Sequence, residues 1–312
     1  MGEVSRGDDA YNRDRTAATA RKPRDRAGRD RQRESERAQG RTTIGTRLEQ
    51  SPVRGGQARV RRRPPGDEAR RVIADGRIRA YLKRLGFGHP PPPRLEGLRR
   101  LHAAHLERVP FENLSIHLGE QIVLEPEALV AKIVDRRRGG FCYELNGAFA
   151  ALLRALGFDV TLLAARVHGD DGLGPPFDHM CLRVELEEPW LADVGFGDNF
   201  RLPLRLDSPD DQVDDAGTFR IVPSGEPELD LLRDGEPQYR FDLTPRDLHD
   251  YDAMCRYHQT SPESHFTRNT VCSLATPTGR VTIRGRTMIV TRGGHREEHT
   301  LTDRELADAY RR

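Results

Sequence analysis

The sequence has no long hydrophobic run. Of its 312 residues, 36% are hydrophobic and 32% are charged, and no stretch reaches the roughly 18 apolar residues that a membrane-spanning helix needs. Residues 1–30 also lack the apolar core of a secretory signal peptide. The sequence therefore predicts a cytoplasmic protein without membrane partners.

Cysteine is scarce and is not spaced for metal binding. The four cysteines, at positions 142, 181, 255 and 272, form neither a CxxC pair nor a Cys/His pattern typical of zinc sites. In a reducing compartment such residues are expected to be free thiols. We therefore predict no bound metal, and each thiol has to be explained by packing or by reactivity.

Charge is unevenly distributed. The chain has 51 Lys and Arg and 49 Asp and Glu, and residues 1–72 hold 20 of the former and 11 of the latter, a net charge of about +9. This segment has too few apolar side chains to offset the entropy of ordering, so we predict a disordered basic arm. An Arg-rich arm can bind nucleic acid, but the lack of interleaved aromatics favours a solvated tail. A third interpretation is an over-extended gene start, with Val72 as an alternative.

The remaining chain changes from helical to strand patterning. Apolar periodicity predicts helices at 73–85, 97–109 and 126–134, and a fourth that follows Cys142 and ends near Gly157. Short alternating or β-branched runs then predict strands at 159–167, 179–186, 190–196, 218–223, 239–245 and 270–293, before a terminal helix at 303–312. Helices before strands indicate an α+β fold and not a parallel βαβ sheet.

Cys142 lies in "RRRGGFCYELNGAF" (136–149), and the pattern there has two interpretations. On the helix that follows, Cys142 shares a face with Leu145 and Phe149, which is typical of a buried packing residue. It also falls in the first helical turn, where unpaired N–H groups stabilise a thiolate and can receive an oxyanion. Gly139 and Gly140 let the backbone turn and approach a ligand closely. The local pattern alone leaves packing and catalysis open.

A nucleophilic cysteine needs a histidine base held by a third group. Among 11 histidines, His179 stands out because it opens a predicted strand after a Gly/Pro-rich loop. Asp193 lies between apolar neighbours in the next predicted strand, where a carboxylate needs a partner. The midpoint of the two is Leu186 but the turn centres near 188, so we expect a bulge or a shifted turn.

With these residues in view, the sequence resembles the arylamine N-acetyltransferase family from about Ile73 nearly to the C-terminus. The resemblance rests on five blocks in order: "RVPFENLSIHLG" (108–119), "RRGGFCYELN" (137–146), "DHM" (178–180), "WLADVGFG" (190–197) and "SPESHFTRN" (261–269).

The resemblance implies a catalytic triad of Cys142, His179 and Asp193. It also implies a set of residues that bind the acceptor substrate and a set that supports the cysteine loop. The first set is Phe111, Val167, Phe196, Gly197 and Phe266. The second is Glu112, Arg138, Gly139 and Gly140. From pattern alone, the apolar members could equally be core residues.

The resemblance further implies a fold and a reaction. The fold would have a helical domain at 73–157, a β-barrel domain at 158–265 and a short C-terminal α/β lid at 266–312, preceded by the disordered arm at 1–72. The reaction would be ping-pong acetyl transfer from acetyl-CoA to arylamines or hydrazines in xenobiotic metabolism, without a permanently bound cofactor. The basic arm and the early C-terminus depart from the family pattern.

Two alternatives remain open at the level of sequence. A cysteine hydrolase or transglutaminase-like acyl transferase can use the same triad, because water and amines attack the same acyl-enzyme. A nucleic-acid-binding protein acting through the basic arm would instead show binding that falls steeply with salt.

Overall fold

The computed structural model describes residues 75–311. The predicted basic arm at 1–72, the alternative start at Val72 and the nucleic-acid interpretation lie outside these residues. Within them the fold mixes helices with antiparallel sheets, so the α+β prediction is confirmed. No helix in this range is long and apolar enough to cross a membrane.

Helices dominate the first part of the described chain. They are α1 (Asp75–Arg84), α2 (Leu95–Arg108), α3 (Leu114–His117), α4 (Pro126–Val134) and α5 (Cys142–Ala155). The predicted bounds of α4, 126–134, are confirmed. The helix starts there because Pro126 occupies the first turn, where its missing N–H costs no hydrogen bond. Helix α5 ends before Gly157, whose φ of +93° suits glycine.

Fourteen strands form two sheets in the described residues. They are β1 (Phe111–Glu112), β2 (Asp159–Gly169), β3 (Gly172–Leu173), β4 (His179–Glu185), β5 (Pro189–Ala192), β6 (Leu204–Arg205), β7 (Gln212–Asp214), β8 (Gly217–Pro223), β9 (Glu228–Arg233), β10 (Glu236–Asp242), β11 (Val271–Thr276), β12 (Gly279–Arg284), β13 (Thr287–Arg292) and β14 (His295–Thr300).

The nine-stranded sheet is nearly closed into a barrel. Its strand order is β6-β5-β4-β2-β10-β9-β8-β7, with β3 paired to β2. The two edges meet through Gln212, whose side chain accepts from the backbone N–H of Arg205 at 2.7 Å and donates to its carbonyl at 3.0 Å. These side-chain bonds satisfy edge groups that would otherwise be open for pairing with another chain.

Both faces of the nine-stranded sheet are buried where β2 and β4 pair. Met180 and Leu182 on β4 pack into the core that includes α5. Cys181, which lies between them, packs into a second core inside the barrel. The predicted alternation of β4 is therefore confirmed, and the sheet separates two cores because successive side chains point to opposite faces.

The five-stranded sheet joins the two ends of the described chain. Its order is β1-β11-β12-β13-β14, and Phe111 of β1 pairs with Ser273 of β11. A 3₁₀ turn (Leu248–Tyr251), α6 (Asp252–Thr260) and α7 (His265–Arg268) precede β11 in the chain, and α8 (Asp303–Arg311) follows β14. The terminal helix was predicted, whereas α6 and α7 were not.

Candidate active site

Cys142 is the first residue of α5 and is 3% exposed. The helix begins cleanly because the Glu144 carboxylate accepts the N–H of Phe141 at 3.2 Å. Leu145, Phe149 and the rest of the apolar stripe are fully buried and anchor the helix. Packing therefore fixes the position of the thiol.

The surroundings of Cys142 keep it protonated when it is considered alone. Burial raises the pKa of the Cys142 thiol well above its ordinary value, and the negative charges of Asp178 and Asp193 raise it further. The backbone N–H of Tyr143 acts in the opposite direction. A thiolate at this position therefore requires a neighbouring base that can take its proton.

His179 and Asp193 form a buried pair. The imidazole Nε2 lies 2.8 Å from Asp193 Oδ2, and the two residues are 2% and 1% exposed. Burial alone would raise the pKa of Asp193, but the His179 imidazole and hydrogen bonds from His179, Asn146 and Gly195 hold it below its ordinary value. The carboxylate is therefore ionised and accepts the Nε2 proton, which leaves Nδ1 as the basic nitrogen of the ring.

Of the expected bulge or shifted turn between His179 and Asp193, the bulge is wrong, whereas the turn is shifted by one residue: the pairing of Glu185 with Pro189 centres it on 187 and not on 188. Strands β4 and β5 pair regularly from Glu185–Pro189 to Leu182–Ala192. Strand β5 ends at Ala192, so Asp193 lies just beyond it. Continuing the register would put Asp193 opposite Cys181, and His179 reaches it diagonally on the same face.

Asn146 connects the cysteine helix to this pair. It lies one helical turn after Cys142, and its amide donates to Asp193 Oδ1 at 2.9 Å and to the carbonyl of Met180 at 2.7 Å. Its side-chain oxygen accepts the N–H of Val194 at 2.9 Å. Because all three bonds come from one side chain, α5, β4 and the segment after β5 are held in one arrangement.

His102 supports the same segment from α2. Its Nδ1 lies 2.9 Å from the carbonyl of Arg201, and its Nε2 accepts the N–H of Asp193 at 3.1 Å. A carbonyl can only accept, so the proton is on Nδ1 and the ring is neutral. Burial also lowers the pKa of His102. We refer to His102, Asn146, His179 and Asp193 as the histidine cluster.

A second buried group includes Glu144, which lies in the first turn of α5. Arg138 Nη2 is 3.1 Å from Glu112 Oε1, and Lys132 Nζ is 2.6 Å from Glu144 Oε1 and 3.9 Å from Glu112 Oε1. Lys132, Glu112 and Glu144 are at most 3% exposed. We refer to Glu112, Lys132, Arg138 and Glu144 as the ion-pair cluster. The structure therefore brings together Glu112 and Arg138, two of the residues that the resemblance assigns to the support of the cysteine loop.

Gly139 and Gly140 are needed for close packing within the protein. A Cβ on Gly139 would lie 1.9 Å from the carbonyl of Pro110, and one on Gly140 would lie 2.6 Å from Cβ of Glu144. The N–H of Glu112 donates to Gly140 O at 2.8 Å. Neither glycine has a positive φ, so their close approach is to β1 and α5.

The predicted acceptor-binding residues form two groups. Phe111 and Phe266 are each 7% exposed with ring centroids 6.2 Å apart, and a Cβ on Gly197 would lie 3.6 Å from the Phe111 ring. Phe196 packs edge-on to His179 at 5.2 Å. Val167 lies on β2, two residues beyond Ala165, which pairs with His179. Aromatic surface therefore lies close to the histidine.

Sequence reasoning missed His102, Lys132, Glu144 and Asn146. His102 was not singled out among the 11 histidines, and its bond to the Asp193 backbone has no signal in the nearby sequence. The other three carry polar or charged groups on otherwise apolar helices, and a buried polar group on such a helix signals a partner. Within 75–311, no group of three or more His, Cys, Asp or Glu side chains could hold a metal ion.

Comparison with known proteins identifies the family. A family model described as N-acetyltransferase matches residues 94–312. The arylamine N-acetyltransferase of Mycolicibacterium smegmatis is 36% identical over 228 residues, which cover 70% of this chain and 83% of that protein.

Solved structures agree with the sequence match. The arylamine N-acetyltransferase from Salmonella typhimurium has a TM-score of 0.70 at 33% identity, with 77% of this chain and 91% of that chain covered. The Mycobacterium marinum arylamine N-acetyltransferase in complex with CoA has a TM-score of 0.69 at 33% identity, covering 74% and 90%. Sequence and fold agree over most of the described chain, and this protein therefore belongs to the arylamine N-acetyltransferase family of acetyl-CoA-dependent acyltransferases.

Proposed function

We propose that the protein transfers an acetyl group from acetyl-CoA to an arylamine or hydrazine through an acetyl-cysteine on Cys142. The observation that carries this proposal is the direct link between the cysteine helix and the His179–Asp193 pair. Asn146, one turn after Cys142, donates to the carboxylate that in turn holds His179 at 2.8 Å.

His179 is the proton acceptor in the first half-reaction. Its Nε2–H is held by Asp193, so Nδ1 takes the thiol proton as Cys142 attacks the thioester carbonyl. The oxyanion of the tetrahedral intermediate is stabilised by backbone N–H groups at the start of α5. As the intermediate collapses, the bond between the carbonyl carbon and the CoA sulfur breaks and the imidazolium returns its proton to that sulfur.

The second half-reaction reverses these roles. The acceptor nitrogen attacks the acetyl-cysteine carbonyl and gives its proton to His179. The carbon–sulfur bond to Cys142 then breaks, and the imidazolium returns the proton to the cysteine thiolate. Asp193 keeps the imidazole in one tautomer and stabilises its cationic form throughout.

Aromatic side chains near the histidine support an aromatic acceptor. Phe111, Phe196 and Phe266 offer ring edges and faces at which an arylamine can pack, and Gly197 lies against the Phe111 ring. Val167, on β2, is the remaining acceptor contact in this proposal. Glu112, Arg138, Gly139 and Gly140 support the cysteine loop and do not contact the acceptor in this proposal.

The domain division of the sequence analysis is retained as part of the proposal. The helical domain at 73–157 supplies the cysteine, the barrel domain at 158–265 supplies His179 and Asp193, and the lid at 266–312 covers the acyl donor. Pairing of β1 with β11 supports a lid that is connected to the cysteine loop. Cytoplasmic location and xenobiotic acceptors remain predictions.

Intact-mass spectrometry tests the acetyl-cysteine. Wild-type protein incubated with acetyl-CoA alone should gain one acetyl group, which an arylamine or hydrazine then removes as the acetylated product appears. The Cys142→Ala variant should gain none. The Cys255→Ala variant, which lacks another buried free thiol, should behave as wild type. Acetyl transfer by Cys142→Ala at the wild-type rate would rule out the mechanism.

A further inference from the structure

The backbone just before His179 adopts an unfavourable conformation. Phe177 has a φ of +64°, a left-handed conformation that a residue with a bulky side chain rarely adopts. Asp178 follows it and His179 comes next, so this turn sets the direction in which the chain enters β4. Such a conformation persists only where surrounding contacts hold it.

Tyr143 holds the turn from the cysteine helix. Its hydroxyl is 2.7 Å from the carbonyl of Phe177 and 3.2 Å from that of Asp178, and it donates to these oxygens. Tyr143 directly follows Cys142 and is fully buried. The turn before the histidine is therefore fixed to the residue beside the thiol.

His258 of α6, whose ring stacks on Tyr143 at a centroid distance of 6.1 Å, contacts the same turn. Its Nε2 lies 3.2 Å from Asp178 Oδ1, an ion-pair distance with the oxygen off the N–H axis, and the imidazole side chain is 3% exposed. Its Nδ1 lies 3.0 Å from the Ser264 hydroxyl, which also accepts the N–H of Phe266. One imidazole thus connects the turn to the short helix that carries Phe266.

We propose that His258 is a positioning residue for acetyl transfer, which holds Asp178 so that His179 meets the Cys142 thiol. We refer to Tyr143, Asp178, His258 and Ser264 as the Asp178 clamp. A buried imidazole costs free energy unless its nitrogens are partnered, and both partners of His258 lie on segments that border the reacting groups. The inference rests on the proposed function, since it assigns His258 a role in that reaction.

The clamp also affects the charge around the thiol. After burial, the negative charge of Asp178 is the largest contribution that raises the pKa of Cys142. An imidazole N–H beside this carboxylate partly offsets its negative charge and so weakens its effect on the pKa of the Cys142 thiol. The nearby His265 does not compete, because burial lowers its pKa to about 4 and it is neutral near neutral pH.

Three substitutions at His258 separate positioning from packing. His258→Gln puts an amide N–H near the place of Nε2 and keeps a donor for Asp178. His258→Asn puts its amide near the place of Nδ1 and reaches only Ser264. His258→Leu fills the space without either partner. The control is His249→Gln, which changes an exposed histidine 3.2 Å from Asp252.

The readouts are kcat and KM for acetyl transfer, the thermal midpoint, and the pH dependence of Cys142 alkylation by iodoacetamide. We expect His258→Leu and His258→Asn to lower kcat about tenfold to a hundredfold with little change in KM, and to move the alkylation profile to higher pH. His258→Gln should recover most of kcat and the wild-type profile, and His249→Gln should match wild type.

Two results would overturn the inference. One is wild-type kcat and an unmoved alkylation profile in a folded His258→Leu variant. The other is an equal loss of kcat in His258→Gln and His258→Asn, which would mean that only the packing of the side chain matters. The comparison of these two variants decides the question if His258→Leu does not fold. Alkylation needs no acetyl-CoA, so a wild-type protein that fails to transfer acetyl groups would refute the proposed function and leave the clamp testable.

Discussion

The two buried polar clusters that share α5, through Glu144 in one and Asn146 in the other, are constructed differently. The ion-pair cluster has two carboxylates and two cations, and the shortest of its contacts is 2.6 Å between Lys132 and Glu144. The histidine cluster has one carboxylate, two imidazoles and an amide, and backbone N–H groups of Asp193, Val194 and Gly195 complete it.

The difference follows from what each cluster has to do. A buried ion pair is held together by the attraction of opposite charges, and removing one member leaves the charge of the other buried without a partner. The histidine cluster instead fixes which nitrogen carries a proton, since every donor faces an acceptor. We therefore expect changes in the ion-pair cluster to affect stability first, and changes in the histidine cluster to affect rate first.

The largest effect is expected from Asp193→Asn. Oδ1 of Asp193 accepts two N–H groups, from Asn146 and Gly195, so the oxygen of the new amide will occupy that place and its NH₂ will face His179. Nε2 must then accept, which forces the proton onto Nδ1 and removes the base. Single-turnover acetylation of Cys142 should slow by about a thousandfold to ten-thousandfold.

The matched control for this change is Asp230→Asn. Asp230 lies 3.3 Å from the imidazole of His168 on the barrel, which is a His–carboxylate pair outside the proposed site. Cys142 in the Asp230→Asn variant should be acetylated at the wild-type rate. If Cys142 in the Asp193→Asn variant is acetylated equally fast, Asp193 has no role in the mechanism.

Lys132→Met tests the ion-pair cluster. Loss of the ammonium leaves Glu144 buried without its counter-charge, while Glu112 keeps Arg138, so the free energy of unfolding should fall by about 3–5 kcal/mol. Urea denaturation measures it. Adding Glu144→Gln to this variant should restore part of the loss. Arg77→Met, which breaks the exposed pair with Asp135, should cost under about 1 kcal/mol; a comparable loss there would contradict the distinction.

The sequence was sufficient to predict elements that have local signals. Pro126 sets the start of α4, and Gly157 ends α5. Residues 252–268 gave no such signal, because the buried face of α6 includes Cys255 and His258, and this face has no apolar stripe. The bulge was expected because His179 and Asp193 were taken to lie directly opposite each other, whereas the regular register of β4 and β5 continues to Cys181 opposite Asp193 and leaves His179 on the diagonal.

Apart from Val167, the candidate site was predicted only where a motif contained its residues. Cys142, His179, Asp193, Glu112 and Arg138 are within such motifs, and their roles remain predictions. His102 meets the backbone of Asp193 across 91 positions of sequence, and nothing near His102 in the chain indicates this contact. His102 is buried because α2 packs against the segment after β5. This is a tertiary contact, which the sequence around His102 does not indicate.

Glu144 gives the ion-pair cluster a pH dependence. Burial raises the pKa of Glu144 from 4.5 to about 7, against the opposing effect of Lys132. The folded protein therefore retains a proton that the unfolded chain releases, a contribution fully present below about pH 4.5 and lost as pH rises through 7. Over that window the free energy of unfolding should fall by about 3 kcal/mol from this group.

Denaturation curves across this pH range, compared for wild type and Glu144→Gln, measure the contribution. The variant carries a permanently neutral group and should lack this part of the slope. Glu96→Gln, at an exposed position on α2, should keep it. An identical slope in wild type and Glu144→Gln would mean that Glu144 is ionised throughout, held by Lys132.

The smallest effect is expected from His102→Phe, which compares the two histidines of α2. The new ring can stack on Phe200 as His102 does, at a centroid distance of 5.6 Å, but the carbonyl of Arg201 and the N–H of Asp193 lose their partner. Stability should fall by about 1–3 kcal/mol, and kcat by about tenfold. Because His102 is already neutral, the loss should be equal on either side of neutral pH.

His105→Phe provides the contrast for this prediction. His105 lies one turn away and bonds only the hydroxyl of Tyr81, at 2.7 Å, among the hydrogen bonds that the described residues give its side chain. Its loss should lower stability without changing kcat, since it does not contact Asp193. If His102→Phe also leaves kcat unchanged, then the bonds of the carboxylate to Asn146, Gly195 and His179 are enough to hold Asp193, and the contact of His102 with the Asp193 backbone does not set the rate.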